Sequence, residues 1–156
     1  MPSIETGKLI SSAIIIRDDR ALVFEEKNDV GELKYNLPGG HIEPGETPID
    51  ALLREVLEET GMVCEPMSFL QLVVNTWDRN HSVLMYFSVR VAADAVVVLE
   101  EGITAQWMTN EDIAELPDDR CVFGIKSALA MVLRNEVLPS TALLLRKGGK
   151  QFEWQK

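Results

Sequence analysis

Two runs rich in β-branched residues open the chain, Lys8 to Arg17 (KLISSAIIIR) and Ala21 to Lys27 (ALVFEEK). With Asp18-Asp19-Arg20 between them they predict a pair of strands around a short polar turn. Asn28 to Lys34 is polar and contains Gly31, a loop pattern, and Tyr35-Asn36-Leu37 is a short extended piece stopped by Pro38. Gly39-Gly40 follows as a loop whose bare backbone can approach a ligand closely. From Thr47 the period changes. Ile49, Leu53, Val56 and Leu57 recur at helical spacing, Thr47 is a candidate N-cap with Pro48 in the first helical position and Asp50 three residues after the cap, and Gly61 stands where helices end. On a helical projection Glu55, Glu58 and Glu59 gather on the side opposite that apolar flank, with Ala51 between Glu55 and Glu58 leaving room for a ligand.

Farther on, Phe69 to Trp77 and Ser82 to Val91 are strand-like and joined by Asp78-Arg79-Asn80-His81, a hairpin pattern. Ala92 to Ile103 reads as the end of a strand plus an acidic loop at Glu100-Glu101-Gly102, and Thr104 to Thr109 as another strand. Asn110 is placed to cap a short helix through Leu116, stopped by Pro117. Phe123 to Val137 carries the apolar series of an amphipathic helix at Ile125, Ala128, Leu129, Val132 and Leu133. The tail 139–156 has the pattern of a hairpin around Lys147-Gly148-Gly149-Lys150, or of a partly ordered arm. No repeat or linker divides the chain, so a single α/β domain over residues 1–156, with helices packed on a mixed sheet, is the expected architecture.

A chain of 156 residues can bury a core without a disulfide or a metal staple. Cys64 and Cys121 belong to no CxxC pattern and read as free thiols, which fits a reducing cytoplasm. The N-terminus lacks a basic segment followed by an apolar run, and no stretch is long and apolar enough to span a membrane, so no membrane partner is expected. The formal net charge of -10 argues against a nucleic-acid polymer as partner, because such binding relies on Lys and Arg neutralising phosphates. A small phosphorylated ligand remains open if cations mask its charge.

Much of that charge is concentrated. Between Gly40 and Met62, Glu43, Glu46, Asp50, Glu55, Glu58 and Glu59 face a single base, Arg54. Such crowding is costly unless cations sit among the carboxylates or the acids are spread over solvent. Hard divalent ions, Mg2+ or alternatively Mn2+, take oxygen ligands from carboxylates, phosphates and water. The helix therefore looks like half of a metal site, with substrate phosphates as the other half, for metal-assisted attack of water on phosphorus. Arg54, toward the side of the helix, is better placed to orient a carboxylate than to catch substrate. Tyr35 and Trp77 border loops near this region and are candidates to stack on a base, Arg79 is a candidate phosphate contact, and Phe87 and Trp107 read as core.

The residues Gly40, Glu46, Arg54, Glu55, Glu58, Glu59 and Gly61, with apolar Val56 and Met62, form the pattern G-x5-E-x7-R-E-U-x-E-E-x-G-U, U being apolar. It resembles the Nudix box, and the likeness extends over about residues 8–137. The resemblance implies an α/β/α sandwich. It also implies that Glu55, Glu58 and Glu59 bind metal, that Glu55 or a loop acid serves as general base, and that Gly39 offers a carbonyl to the metal. Glu46 would support the loop and helix, Arg54 would orient Glu55, and Gly40 would lie against substrate. Members often recruit a further acid from a distant loop, for which Glu100 or Glu101 are the candidates. The implied activity is cytoplasmic, metal-dependent hydrolysis of a phosphoanhydride in a small nucleoside di- or triphosphate or related pyrophosphate, by a monomer or homodimer. A nucleotide-sugar or ADP-ribose type of pyrophosphatase, and a non-catalytic nucleotide-binding regulator, are the alternatives.

Overall fold

The computed structural model describes residues 7–28, 30–77, 80–134, 136 and 138–139. The chain begins with β1 (Lys8–Arg17) and β2 (Arg20–Lys27), joined by Asp18 and Asp19 at φ of 50° and 57°. Two consecutive left-handed residues make the tight turn that matches strand twist, and Asp is among the few side chains that tolerate it. β3 (Leu33–Asn36) and β4 (Gly39–His41) follow, so the Gly39-Gly40 pair expected as loop is a short strand paired antiparallel with β1. Then come α1 (Pro48–Thr60), β5 (Cys64–Trp77), β6 (Asn80–Val91), β7 (Thr104–Met108), α2 (Asn110–Glu115), a 3-10 turn (Asp118–Arg120), α3 (Ile125–Leu133) and β8 (Leu138–Pro139).

Among the described residues the sheet has the order β3-β2-β1-β6-β5-β8, with β4 also on β1 and β7 also on β2. It is mixed because β1 and β6 run parallel while the other pairs are antiparallel. Both faces are covered, which explains the unbroken apolar run in β1. Ile14, Val23, Leu84 and Tyr86 face the side of α2 and α3 with Ile113, Ile125 and Leu129. Ala13, Ile15, Leu22, Phe24, Met85 and Phe87 face the side of α1 with Leu52 and Val56. Each fully buried large apolar side chain contributes about 1.5–3 kcal/mol. The result is the expected α/β/α sandwich.

Several boundaries differ from the sequence pattern for local reasons. In α1 the buried residues are Ala51, Leu52, Val56 and Thr60, whereas Leu53 and Leu57 are 37% and 50% exposed. Ala51 is thus packed against the protein rather than open to a ligand. Val91 ends β6, and 92–103 adds no strand. Instead Val98 N–H donates to Thr60 O and Glu100 N–H to Glu59 O, supplying partners for carbonyls that the last turn of α1 leaves free. The cap of α2 is Thr109, in a reciprocal pairing with Asp112, and Asn110 is already helical. α3 starts at Ile125, the first residue of the apolar series, after left-handed Gly124 at φ 95°, and ends at Leu133, so it is shorter at both ends than the 123–137 segment and Phe123 is 66% exposed. The tail after Pro139 lies outside the described residues. Cys64 and Cys121 are free, the first buried, and burial pushes its thiol up to about 11.

Candidate active site

α1 is held at both ends. Thr47 Oγ1 accepts from Asp50 N–H while Asp50 accepts from Thr47 N–H, and Gly61, left-handed at φ 68°, donates to Leu57 O. Its acidic side is not opposite the apolar one. Glu59 follows Leu52 and Val56 around the helix, so the glutamates point at the end of the sheet where β4 lies. There, Gly39 N–H donates to Glu59 Oε2 at 2.8 Å. A Cβ at Gly40 would lie 2.5 Å from Glu55 Cδ and 2.8 Å from its Oε2, so the missing side chain admits this carboxylate rather than a substrate. Gly39, at φ 149°, has no room either: a Cβ would come within 2.6 Å of Ser12 Cα.

Arg54 gathers the rest. Its Nε and Nη2 donate to Glu46 Oε1 and Oε2 at 2.8 and 3.0 Å, its Nη1 to Glu55 Oε1 at 2.7 Å and Glu58 Oε2 at 3.2 Å, and its Nη2 also to His41 O at 3.0 Å. The two-pronged bond uses the planar fork that only Arg provides. Glu46 also accepts from Glu43 N–H. The Arg54 hydrogen bonds, followed by this backbone bond, hold the Glu46 carboxyl down at about 2. Glu59 is opposite in character. Burial, and then repulsion from Glu55, Glu26 and Glu100, outweigh the bond from Gly39 and push its carboxyl up to about 8.

Glu26 is a site residue that the sequence pattern does not single out. In β2, Leu22 and Phe24 face α1, and two residues on the half-buried Glu26 continues that face past the core, where Asn36 Nδ2 donates to it at 3.4 Å. The signal was period-two alternation carried past the apolar residues. Glu25, Glu26, Glu100 and Glu101 line one cleft of about 550 Å³ with Lys27 and Thr104. The loop acids Glu100 and Glu101 therefore stand across from β2, and Glu100 is tied by its backbone to Glu59.

Other candidates fall elsewhere. Tyr35 pairs with Glu25 and packs on the core under α2 and α3, the face away from the glutamates. Its carbonyl accepts from Val122 N–H, and Val122 and Phe123 line a separate cavity of about 400 Å³ with Asp118 and Val73. Trp77 ends β5, but its side chain and all of Arg79 lie outside the described residues.

Among the described residues no group of three His, Cys, Asp or Glu side chains is placed so that it could hold a metal ion as it stands. The donor set nonetheless fits a hard divalent cation. It consists of carboxylate oxygens alone, one of them half-buried and destabilised by its neighbours when charged, beside a glycine backbone.

A NUDIX domain model matches residues 8–123. A NUDIX hydrolase from Nitrosomonas europaea superimposes with a TM-score of 0.78 at 28% identity, covering 92% of this chain and 100% of that one. The ADP-ribose pyrophosphatase of Methanocaldococcus jannaschii is 29% identical over 109 residues, 68% of this chain and 64% of that protein. The 8-oxo-dGDP phosphatase NUDT18 of Mus musculus is 34% identical over 64 residues, 41% of this chain. The chain spans 20% of the length of the first curated relatives it matches. The family match runs from β1 through the 3-10 turn and includes every element that builds the glutamate site, and the chain belongs to the NUDIX family.

Proposed function

We propose that this protein is a divalent-metal-dependent pyrophosphohydrolase that cleaves a phosphoanhydride bond in a small nucleotide. The observation that carries the reading is Glu59: a carboxylate pressed toward neutrality by burial and by Glu55, Glu26 and Glu100, and held by the Gly39 N–H at 2.8 Å, stands among other carboxylates where a cation would stabilise its charged form. Glu55, Glu58 and Glu59 would hold the ion, Mg2+ in preference to Mn2+ on availability, with the Gly39 carbonyl and a loop acid, Glu100 or Glu101, as further donors. When bound, the ion neutralises phosphate oxygens and lowers the pKa of water. Arg54 orients Glu55 and Glu58 and neutralises part of their mutual repulsion. Glu55 or a loop acid accepts the proton of the attacking water.

The substrate reading rests on the family. The relatives named above act on ADP-ribose and 8-oxo-dGDP. The cavity beside Val73, Val122 and Phe123 lies on the other face of the sheet; the cleft between β2 and the loop acids, lined by Glu25, Glu26, Lys27, Leu33, Glu100 and Glu101, is the one that adjoins the glutamates. The free thiols support a reducing compartment, the cytoplasm, and no helix among the described residues is long and apolar enough to cross a membrane. A panel of nucleoside di- and triphosphates, ADP-ribose and nucleotide sugars with Mg2+, read for phosphate and pyrophosphate release, tests the proposal. Turnover of at least one substrate that is lost in Glu59→Gln is expected. Nucleotide binding without turnover across the panel would instead make the protein a regulator.

A further inference from the structure

Beneath α1 lies a hydroxyl that the site as described leaves unused. Ser11, in β1, is fully buried, and its Oγ has no hydrogen-bond partner among the described residues. Buried hydroxyls are seldom left so, because losing water without a replacement is costly. Ser11 faces Gly40 in the antiparallel register and Met85 in the parallel one. Residues directly opposed on antiparallel strands share a face, with Cβ positions about 5 Å apart. That face is the α1 side, since Ala13, two residues on, and Met85 both belong to the core under α1. The place that a Gly40 side chain would take is occupied by the Glu55 carboxylate. Ser11 Oγ and Glu55 thus share one slot, within reach of a direct hydrogen bond after a small side-chain turn or of one bridging water.

We propose that Ser11 is a positioning residue for Glu55. Its Oγ–H supports the carboxylate from the sheet side while Arg54 Nη1 holds Oε1 from the other. Ser11 acts only through Glu55 and does not touch substrate. A serine here keeps the carboxylate from sinking into the apolar layer or swinging wholly to Arg54. The inference rests on the metal-site reading only in its first readout below.

The experiment is a double-mutant cycle of Ser11→Ala and Glu55→Ala, the latter removing the acceptor outright, with Mn2+ affinity of the substrate-free protein measured by electron paramagnetic resonance. Ser11→Ala should weaken Mn2+ binding at least about threefold in the wild-type background, as supporting residues of metal ligands do, and have no such effect beside Glu55→Ala. A smaller loss, or the same loss in both backgrounds, overturns the proposal. The same cycle is read on the melting temperature of the metal-free protein. A coupled pair makes Ser11→Ala destabilising only when Glu55 is present. An orphaned hydroxyl makes it equally stabilising in both backgrounds, which also overturns the proposal. If the wild type binds no Mn2+, the metal reading fails while the melting cycle still decides between Ser11 and Glu55.

Discussion

Gly39 and Glu59 are twenty positions apart, and the N–H of the first donates to Oε2 of the second at 2.8 Å. A main-chain donor is fixed in place by the β1–β4 ladder, so the buried end of the glutamate array is set by the sheet and not by the helix alone. Replacing Gly39 by Ala puts a Cβ within 2.6 Å of Ser12 Cα at a φ of 149°. That variant is expected to lose about 2 kcal/mol or more of stability in urea unfolding. Gly40→Ala meets only the movable end of Glu55, so it should fold while turnover falls about tenfold or more. A fully active Gly40→Ala enzyme would contradict the assigned seat for Glu55.

The raised Glu59 carboxyl makes two sign-definite predictions. Its folded value of about 8 lies above the ordinary 4.5, so between these values the folded metal-free protein binds more protons than the unfolded chain. Its contribution to stability is therefore full below about 4.5 and is lost as pH rises through about 8. Divalent metal must displace that proton, so apparent affinity should rise with pH up to about 8 and then level. Calorimetry in two buffers of different ionisation enthalpy should count proton release near pH 7 in the wild type. Glu59→Gln should abolish that release.

Arg54 should not tolerate Lys. One ammonium cannot make the fork to Glu46 and also reach Glu55 and Glu58. Arg54→Lys is expected to lower kcat by about tenfold to a hundredfold, with a smaller change in KM. Steady-state kinetics on the best substrate of the panel checks it.

Thr47→Ala removes one half of the reciprocal cap on α1. About 1 kcal/mol of stability should go with it. Chemical denaturation gives that loss directly, and turnover per folded molecule should be retained.

How much of this was legible in the sequence depends on how local the cause was. Thr47, Pro48, Asp50 and Gly61 announce α1 because caps act within one turn, and the structure places each as the pattern predicts. The Asp18-Asp19 turn was legible for the same reason. The burial of α1 was not, because a projection gives angles but not the direction of the sheet: Ala51 went inward and Leu53 and Leu57 stayed partly outside. Gly39 and Gly40 looked like loop because nothing in them shows that β1 will supply a ladder. Glu26 was hidden because its neighbour Glu59 is distant in sequence and only the fold brings them together.

The bonds from Val98 and Glu100 to the end of α1 have a consequence for variation in this protein. The segment bearing Glu100 and Glu101 is not a free surface loop whose length can drift. Two main-chain bonds, at alternate residues, set its register against the last turn of the helix. One residue added between Val98 and Glu100 would shift the acids along the cleft and also displace Leu99 from its seat against the core under α1, so changes of length there should alter what the cleft accepts and cost stability together.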